Sequence, residues 1–140
     1  MARHFLPNVV IFAVCCGILV GSLILTPPQN GNPNVQIGSI PLPGFCTFRS
    51  VTGIPCPGCG LLRSMVSAMH GDIAGSLAYH RLGLLTLLYV ALQFLFRLGV
   101  LLFPVLSIRF SRIDAYLNKG IIFLAVLFGI NWILTVISVI

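Results

Sequence analysis

The residues best able to do chemistry are three cysteines in the run Cys46-x9-Cys56-Pro57-Gly58-Cys59-Gly60, with Arg63 four positions past Cys59. A Cys-x-x-Cys spacing lets two sulfurs meet, in a disulfide or on one metal ion, and Cys46 supplies a third. Behind them, Leu61 to Met69 reads as a helix with Leu61, Leu62, Met65, Val66 and Met69 on one face, and Ser64 and Ser67 on its surface. Pro57 suits a first helical position and Gly71 a helix end. Asp72 is placed to cap a further short helix carrying Ile73, Leu77 and Ala78. This layout predicts Cys56 at a helix N-terminus and Cys59 in the first turn. There the positive helix end and unpaired amides lower a thiol pKa, with Arg63 assisting.

Three chemistries fit these sulfurs. A structural disulfide would use two of the three and leave one over, for lipid or for another protein. A metal site, zinc above all, would take Cys46, Cys56 and Cys59 and need a fourth ligand. His70 lies about 16 Å from Cys59 if the intervening chain is one helix, and His80 needs a fold-back to reach the site. Thiol exchange would use Cys56 or Cys59 as attacking group and Cys46 as resolving thiol. The spacing resembles the redox motif of thioredoxin-like proteins, but their βαβ scaffold is absent. Membrane oxidases on helical bundles relay electrons through two cysteine pairs, where this chain has one pair and a single.

The elements that position these sulfurs belong to a membrane protein. Of the 140 residues 58% are hydrophobic and 7% charged, and the mean hydropathy is +1.08. Ten charged side chains cannot cover a soluble particle of this size. The excess of eight Lys and Arg over two acids is scattered. It suits lipid headgroups and topology signals, and no basic run with interleaved aromatics points to nucleic acid. Paired-carboxylate chemistry, a phosphate loop, a zinc-protease motif and a nucleophile elbow are all missing from the sequence.

The fold class predicted is an all-α integral membrane protein of one domain, 1–140, with spans at about 9–25, 82–103 and 120–140 and an external arm plus motif helix over 27–80. The first span reads as retained rather than as a cleaved leader. Its core is long, and no small-x-small site precedes Thr26-Pro27-Pro28. Arg109, Arg112 and Lys119 between the second and third spans place that link inside, with Arg3 in agreement, so the sulfurs lie outside. Arg97 falls about 22 Å along the second span. The favoured reading has it snorkel to the inner headgroups, with Leu98 to Asn118 along the inner interface and a kink at Pro104; the other has it face a partner inside the membrane. Gly17 and Gly21 form a GxxxG pattern for close helix approach, and Asn131 is a polar group that calls for a bond across helices. Seven of the nine prolines fall between Pro27 and Pro57, which makes the arm irregular, with a brief extension at Val35 to Ile40.

The run Cys46-x9-Cys56-Pro57-Gly58-Cys59-Gly60-x-x-Arg63, followed by His70-Gly71-Asp72 and Ala78, resembles a family of small bacterial membrane proteins, domain of unknown function 2752. Its signature is similar to C-P-x-C-G-x-T-R, then Gly-Asp or Gly-Asn, then Ala and Asn-Pro. Leu62 stands here where Thr is usual, and His80-Arg81 where Asn-Pro is usual. The resemblance covers residues 46 to about 82 and implies a membrane protein of the bacterial inner membrane with a shared cysteine site, without an activity. The function expected is a non-catalytic accessory or assembly subunit, associated with lipids and with a membrane protein partner or a second copy. Its cysteine cluster, by disulfide or zinc, stabilises a docking arm, with Arg63 and Asp72 in support. The alternative is a membrane thiol–disulfide oxidoreductase.

Overall fold

The computed structural model describes residues 2–28, 34–38, 40–42, 46–54, 56–103 and 111–139. Among these, helix α1 spans Ala2–Ile24, strands β1 and β2 Gln36–Ile37 and Ile40–Pro41, α2 Thr47–Thr52, α3 Leu61–Met69, α4 Ile73–Tyr79, α5 Gly83–Leu102 and α6 Ser111–Val139. Three helices are long and apolar enough to cross a membrane: α1 over Leu6–Ile24, all of α5, and α6 over Arg112–Ser138. Burial is inverted relative to a water-soluble fold. The most deeply buried side chains include Arg97, Gln93, Ser22, Ser64, Ser67 and Ser76, while Leu, Ile, Val and Phe lie exposed along α1, α5 and α6. Lipid accommodates such an apolar exterior, and polar groups inside it must satisfy one another.

Helices α1 and α5 form the central pair. The rings of Phe12 and Phe94 stack with centroids 5.1 Å apart, and Cys15, Leu87 and Val90 are buried. Gly17 and Gly21 take no part in this contact, since a Cβ on either would meet nothing within 4 Å. Helix α6 joins α5 through long side chains. The Tyr89 hydroxyl donates to the Leu117 carbonyl at 2.6 Å, and a Cβ on Gly120 would come within 2.8 Å of the Tyr89 ring.

Arg97 overturns the snorkelling expectation. It is 2% exposed and turned inward, where it pairs with Asp114 at 2.7 Å, donates to Asn118 Oδ1 at 2.9 Å and donates to Asn8 Oδ1. A guanidinium in a low-dielectric surround is held by ionic and polar partners, and α6 carries them. For the same reason α6 begins at Ser111, nine residues before the expected span. Asp114 and Asn118 are held within a helix because Arg97 takes up their oxygens. The expected interfacial stretch from Leu98 to Asn118 is therefore largely α5 and α6; Pro104 and Arg109 lie outside the described residues.

These bonds bring the start of α1, the end of α5 and the start of α6 to one end of the membrane domain. The arm and the cysteine motif belong to the other. There Thr26 and Gln36 exchange backbone hydrogen bonds of 2.9 and 3.1 Å, tying the arm to the end of α1. β1 pairs antiparallel with β2, Gln36 opposite Pro41 and Ile37 opposite Ile40, and Val35 is buried.

Helices α3 and α4 fold back on the start of α5. The packed side of α3 includes the small polar residues. Ser64 and Ser67 are 0% and 1% exposed, whereas Leu62 is 49% exposed. This corrects the surface position expected for the serines. Ser64 Oγ donates to the Ser76 carbonyl at 2.7 Å and lies where a Cβ on Gly83 would collide with it, 1.8 Å away. Small side chains let three backbones approach, and the hydroxyl gives the Ser76 carbonyl a second donor beside the His80 amide.

Candidate functional site

The residues from Cys56 to Gly60 form a tight turn rather than the first turn of a helix. The Cys59 amide donates to the Cys56 carbonyl and the Leu61 amide to the Gly58 carbonyl, each at 3.0 Å. Helix α3 starts only at Leu61, with Gly60 as its N-cap in the left-handed region at φ +88°. A Cβ on Gly60 would lie 2.5 Å from the Tyr79 carbonyl oxygen. Glycine is thus required twice, for the backbone angle and for the close passage of α4. Both motif cysteines precede the helix, which corrects the placement of Cys56 at its N-terminus and of Cys59 in its first turn.

The third sulfur arrives from the arm side. Cys46 immediately precedes α2, and the Sγ atoms of Cys46, Cys56 and Cys59 all lie within 4.8 Å of one another. The Cys56 thiol is pushed up to about 11, first by burial and then by its hydrogen bond with Cys46, with repulsion from the Cys59 and Cys46 charges adding. The Gly58 amide pulls the other way without prevailing. The lowered thiol pKa expected from a helix end is therefore reversed at Cys56. The helix begins too late to act on it, and two neighbouring sulfurs disfavour its anion.

His80 is folded back to the turn, but as a brace. Its Nε2 donates to the Pro57 carbonyl at 3.0 Å, its Nδ1 accepts from the Leu82 amide at 3.2 Å, and its ring stacks on Phe128 with centroids 5.2 Å apart. With both nitrogens bound to backbone, His80 is no ligand to the sulfurs in this arrangement. His70 is exposed and bonds the Val66 carbonyl of its own helix. Arg63 donates to Asn34 Oδ1 at 2.9 Å and so fastens the arm beside the sulfurs. Asp72 acts on α4, accepting from the Gly75 amide at 2.8 Å as its N-cap.

Two clefts meet at the turn. The smaller, about 240 Å³, is lined by all three cysteines together with Asn34, Val35 and Arg63 among others. The larger, about 510 Å³, is shared by Cys56, Cys59, the α4–α5 corner and the last turns of α6. Asn131 lines it and, among the described residues, makes no side-chain bond to α1 or α5. Neither cleft has a carboxylate or a second imidazole besides His80 among its described lining residues. Three clustered thiols are a donor set for zinc or another soft ion, with one coordination position left for an outside ligand. A disulfide would use two of the three.

The sequence reading missed the Pro57 brace, the Asn34 contact and the Tyr79 carbonyl against Gly60. Only His80, by its type and position, carried a signal. Residues 46–94 match the family model described as Protein of unknown function (DUF2752), the family that the cysteine signature resembles. The matched stretch takes in the three thiols, α3, α4 and the first part of α5. Comparison with curated proteins and with solved structures gave no match.

Proposed function

We propose that this chain is a non-catalytic accessory or assembly subunit of a larger membrane complex, in which Cys46, Cys56 and Cys59 bind a soft metal ion, zinc in the first instance. The ion cross-links the arm to the turn before α3 and so fixes the surface that a partner meets. One observation carries the reading: three sulfurs from two separate stretches of chain converge within 4.8 Å. Sulfur donors favour soft ions, and metal binding would displace the proton that Cys56 otherwise keeps. A thiol held protonated to about pH 11 is a poor attacking group, which weighs against Cys56 as the nucleophile of the oxidoreductase alternative. The basic link of Arg109, Arg112 and Lys119 supports a bacterial inner-membrane orientation with the N-terminus inside and the sulfurs outside. Membrane lipids and a membrane protein partner or second copy complete the setting, with the open Gly17–Gly21 face available to another helix.

The test is metal analysis and intact-mass measurement on protein purified from native membranes without added chelator. One bound zinc per chain, lost in Cys46→Ser and in Cys59→Ser, is the expected result. A mass short of two hydrogens with no metal would replace the ion by a disulfide. Mixed disulfides accumulating on Cys59→Ser in cells would establish exchange instead and remove the proposal.

A further inference from the structure

The larger cleft has a character that the thiols do not account for. It opens where the membrane helices end: Arg81 lies two residues before α5, and Ser138 is the last residue of the α6 span. Two guanidinium groups, Arg63 and Arg81, line it, and no Asp or Glu is among its described lining residues. Arg81 is exposed and has neither an ion pair nor a hydrogen bond among the described residues. Arg63 gives one of its donors to Asn34, which leaves others of the guanidinium fork unspent. The Asn131 amide, also on the lining, is uncommitted among the described residues. Trp132 and Leu134 form part of the wall, and Leu134 and the neighbouring Leu77 are exposed.

From this juxtaposition we infer that the cleft binds a phosphate-bearing anion, seated on Arg81 and Arg63. Guanidinium groups present paired N–H donors that match phosphate oxygens, and a carboxylate-free wall offers the anion no competitor. A volume of about 510 Å³ admits a glycerophosphate group. The position at the span ends, with apolar side chains beside the cations, favours the headgroup of an anionic lipid over a free phosphate, its chains lying along the exposed faces of α5 and α6. The inference does not rest on a metal at the sulfurs. A divalent ion on three thiolates would leave a single negative charge, which the two guanidinium groups exceed.

Trp132 is the only tryptophan of the chain and lines the cleft, so its emission reports occupancy. The full chain in a neutral detergent is titrated with short-chain phosphatidylglycerol, short-chain phosphatidylcholine, inorganic phosphate and a glutamate-rich peptide. Saturable change with phosphatidylglycerol is expected, weakened about tenfold or more in Arg81→Gln, largely kept in Arg81→Lys and unchanged in Arg112→Gln at the far end of α6. Inorganic phosphate saturating with the same dependence on Arg81 would identify a free anion as the source. Saturation by the peptide alone overturns the inference, as does equal weakening by Arg112→Gln or an Arg81→Gln titration that matches the unmodified chain. Circular dichroism of the Arg81 variants separates loss of binding from loss of fold.

Discussion

A carboxylate oxygen of Asp114 lies 2.7 Å from a guanidinium nitrogen of Arg97, joining α6 to α5 about 21 Å along α5 from its first residue. The pair sits in the half of the membrane domain away from the sulfurs, and Asn8 and Asn118 add to its polar surround, with Arg97 Nε left without a partner among the described residues. Removing one partner strands the other charge. Asp114→Ala should destabilise the protein by about 2 kcal/mol, below the value for a fully enclosed pair because the Asp114 side chain is 38% exposed. The double change Arg97→Met with Asp114→Leu should recover most of that loss, since no unpaired charge remains. Reversible unfolding in mixed micelles measures both. A double variant no better than the single would show that the polar surround, rather than the pair, holds α6.

His80→Ala should loosen the cysteine turn without removing a ligand. Two hydrogen bonds to backbone disappear, at about 1 kcal/mol each. Zinc affinity should fall by about tenfold, the range seen when a group that orients ligands is lost. His80→Asn, the residue that the family signature places there, keeps a donor and an acceptor and should fall between. Competition with a chromogenic chelator reads the affinity. An Ala variant that loses zinc as completely as Cys59→Ser would make His80 a ligand.

The Cys56 thiol gives the metal-free protein a dependence on alkaline pH. An unfolded thiol titrates near 9.0 and the folded one near 11, so the folded state favours the protonated form. The stabilisation this brings is complete below pH 9 and disappears as pH rises through 11. Alkylation of Cys56, mapped by mass spectrometry, should be slow at neutral pH and climb towards pH 11. Cys46→Ala removes a hydrogen bond and a repelling charge, and should move the climb to lower pH. Rapid labelling of Cys56 at pH 7 would contradict the arrangement.

Gly60→Ala brings strain and collision together. At φ +88° the alanine costs about 1 kcal/mol or more in backbone conformation alone. The 2.5 Å approach to the Tyr79 carbonyl must then be relieved by moving α4. Loss of the zinc site with the three spans intact is the expected phenotype, followed by metal content and proteolysis. Gly17→Ala, where a Cβ meets nothing, should leave monomer stability unchanged in the same assays.

Much of the scaffold was legible because its signals are local. Apolar length marked the spans, periodicity and Gly71 bounded Leu61–Met69, and Asp72 announced the next helix. The site was legible in composition and not in geometry. Nothing in the string Cys-Pro-Gly-Cys-Gly distinguishes a helical first turn from a loop that ends in a left-handed glycine; the Tyr79 carbonyl decides that, nineteen residues away. The inward turn of Arg97 is hidden from the sequence for the same reason. Its direction follows from Asp114 on another helix, and a single span viewed alone offers only the headgroups. The rule for water, in which polar means outside, fails for the serine face of α3. In this chain close packing selects small residues, and their hydroxyls turn inward.

His80 touches three parts of the molecule at once, with Phe128 against its face, Pro57 at one edge and Leu82 at the other. It works as a keystone between the third transmembrane helix and the sulfur-bearing loop. A sideways displacement of that helix would therefore be felt at the loop as well. One imidazole thus joins the third long helix to the loop that carries the thiols.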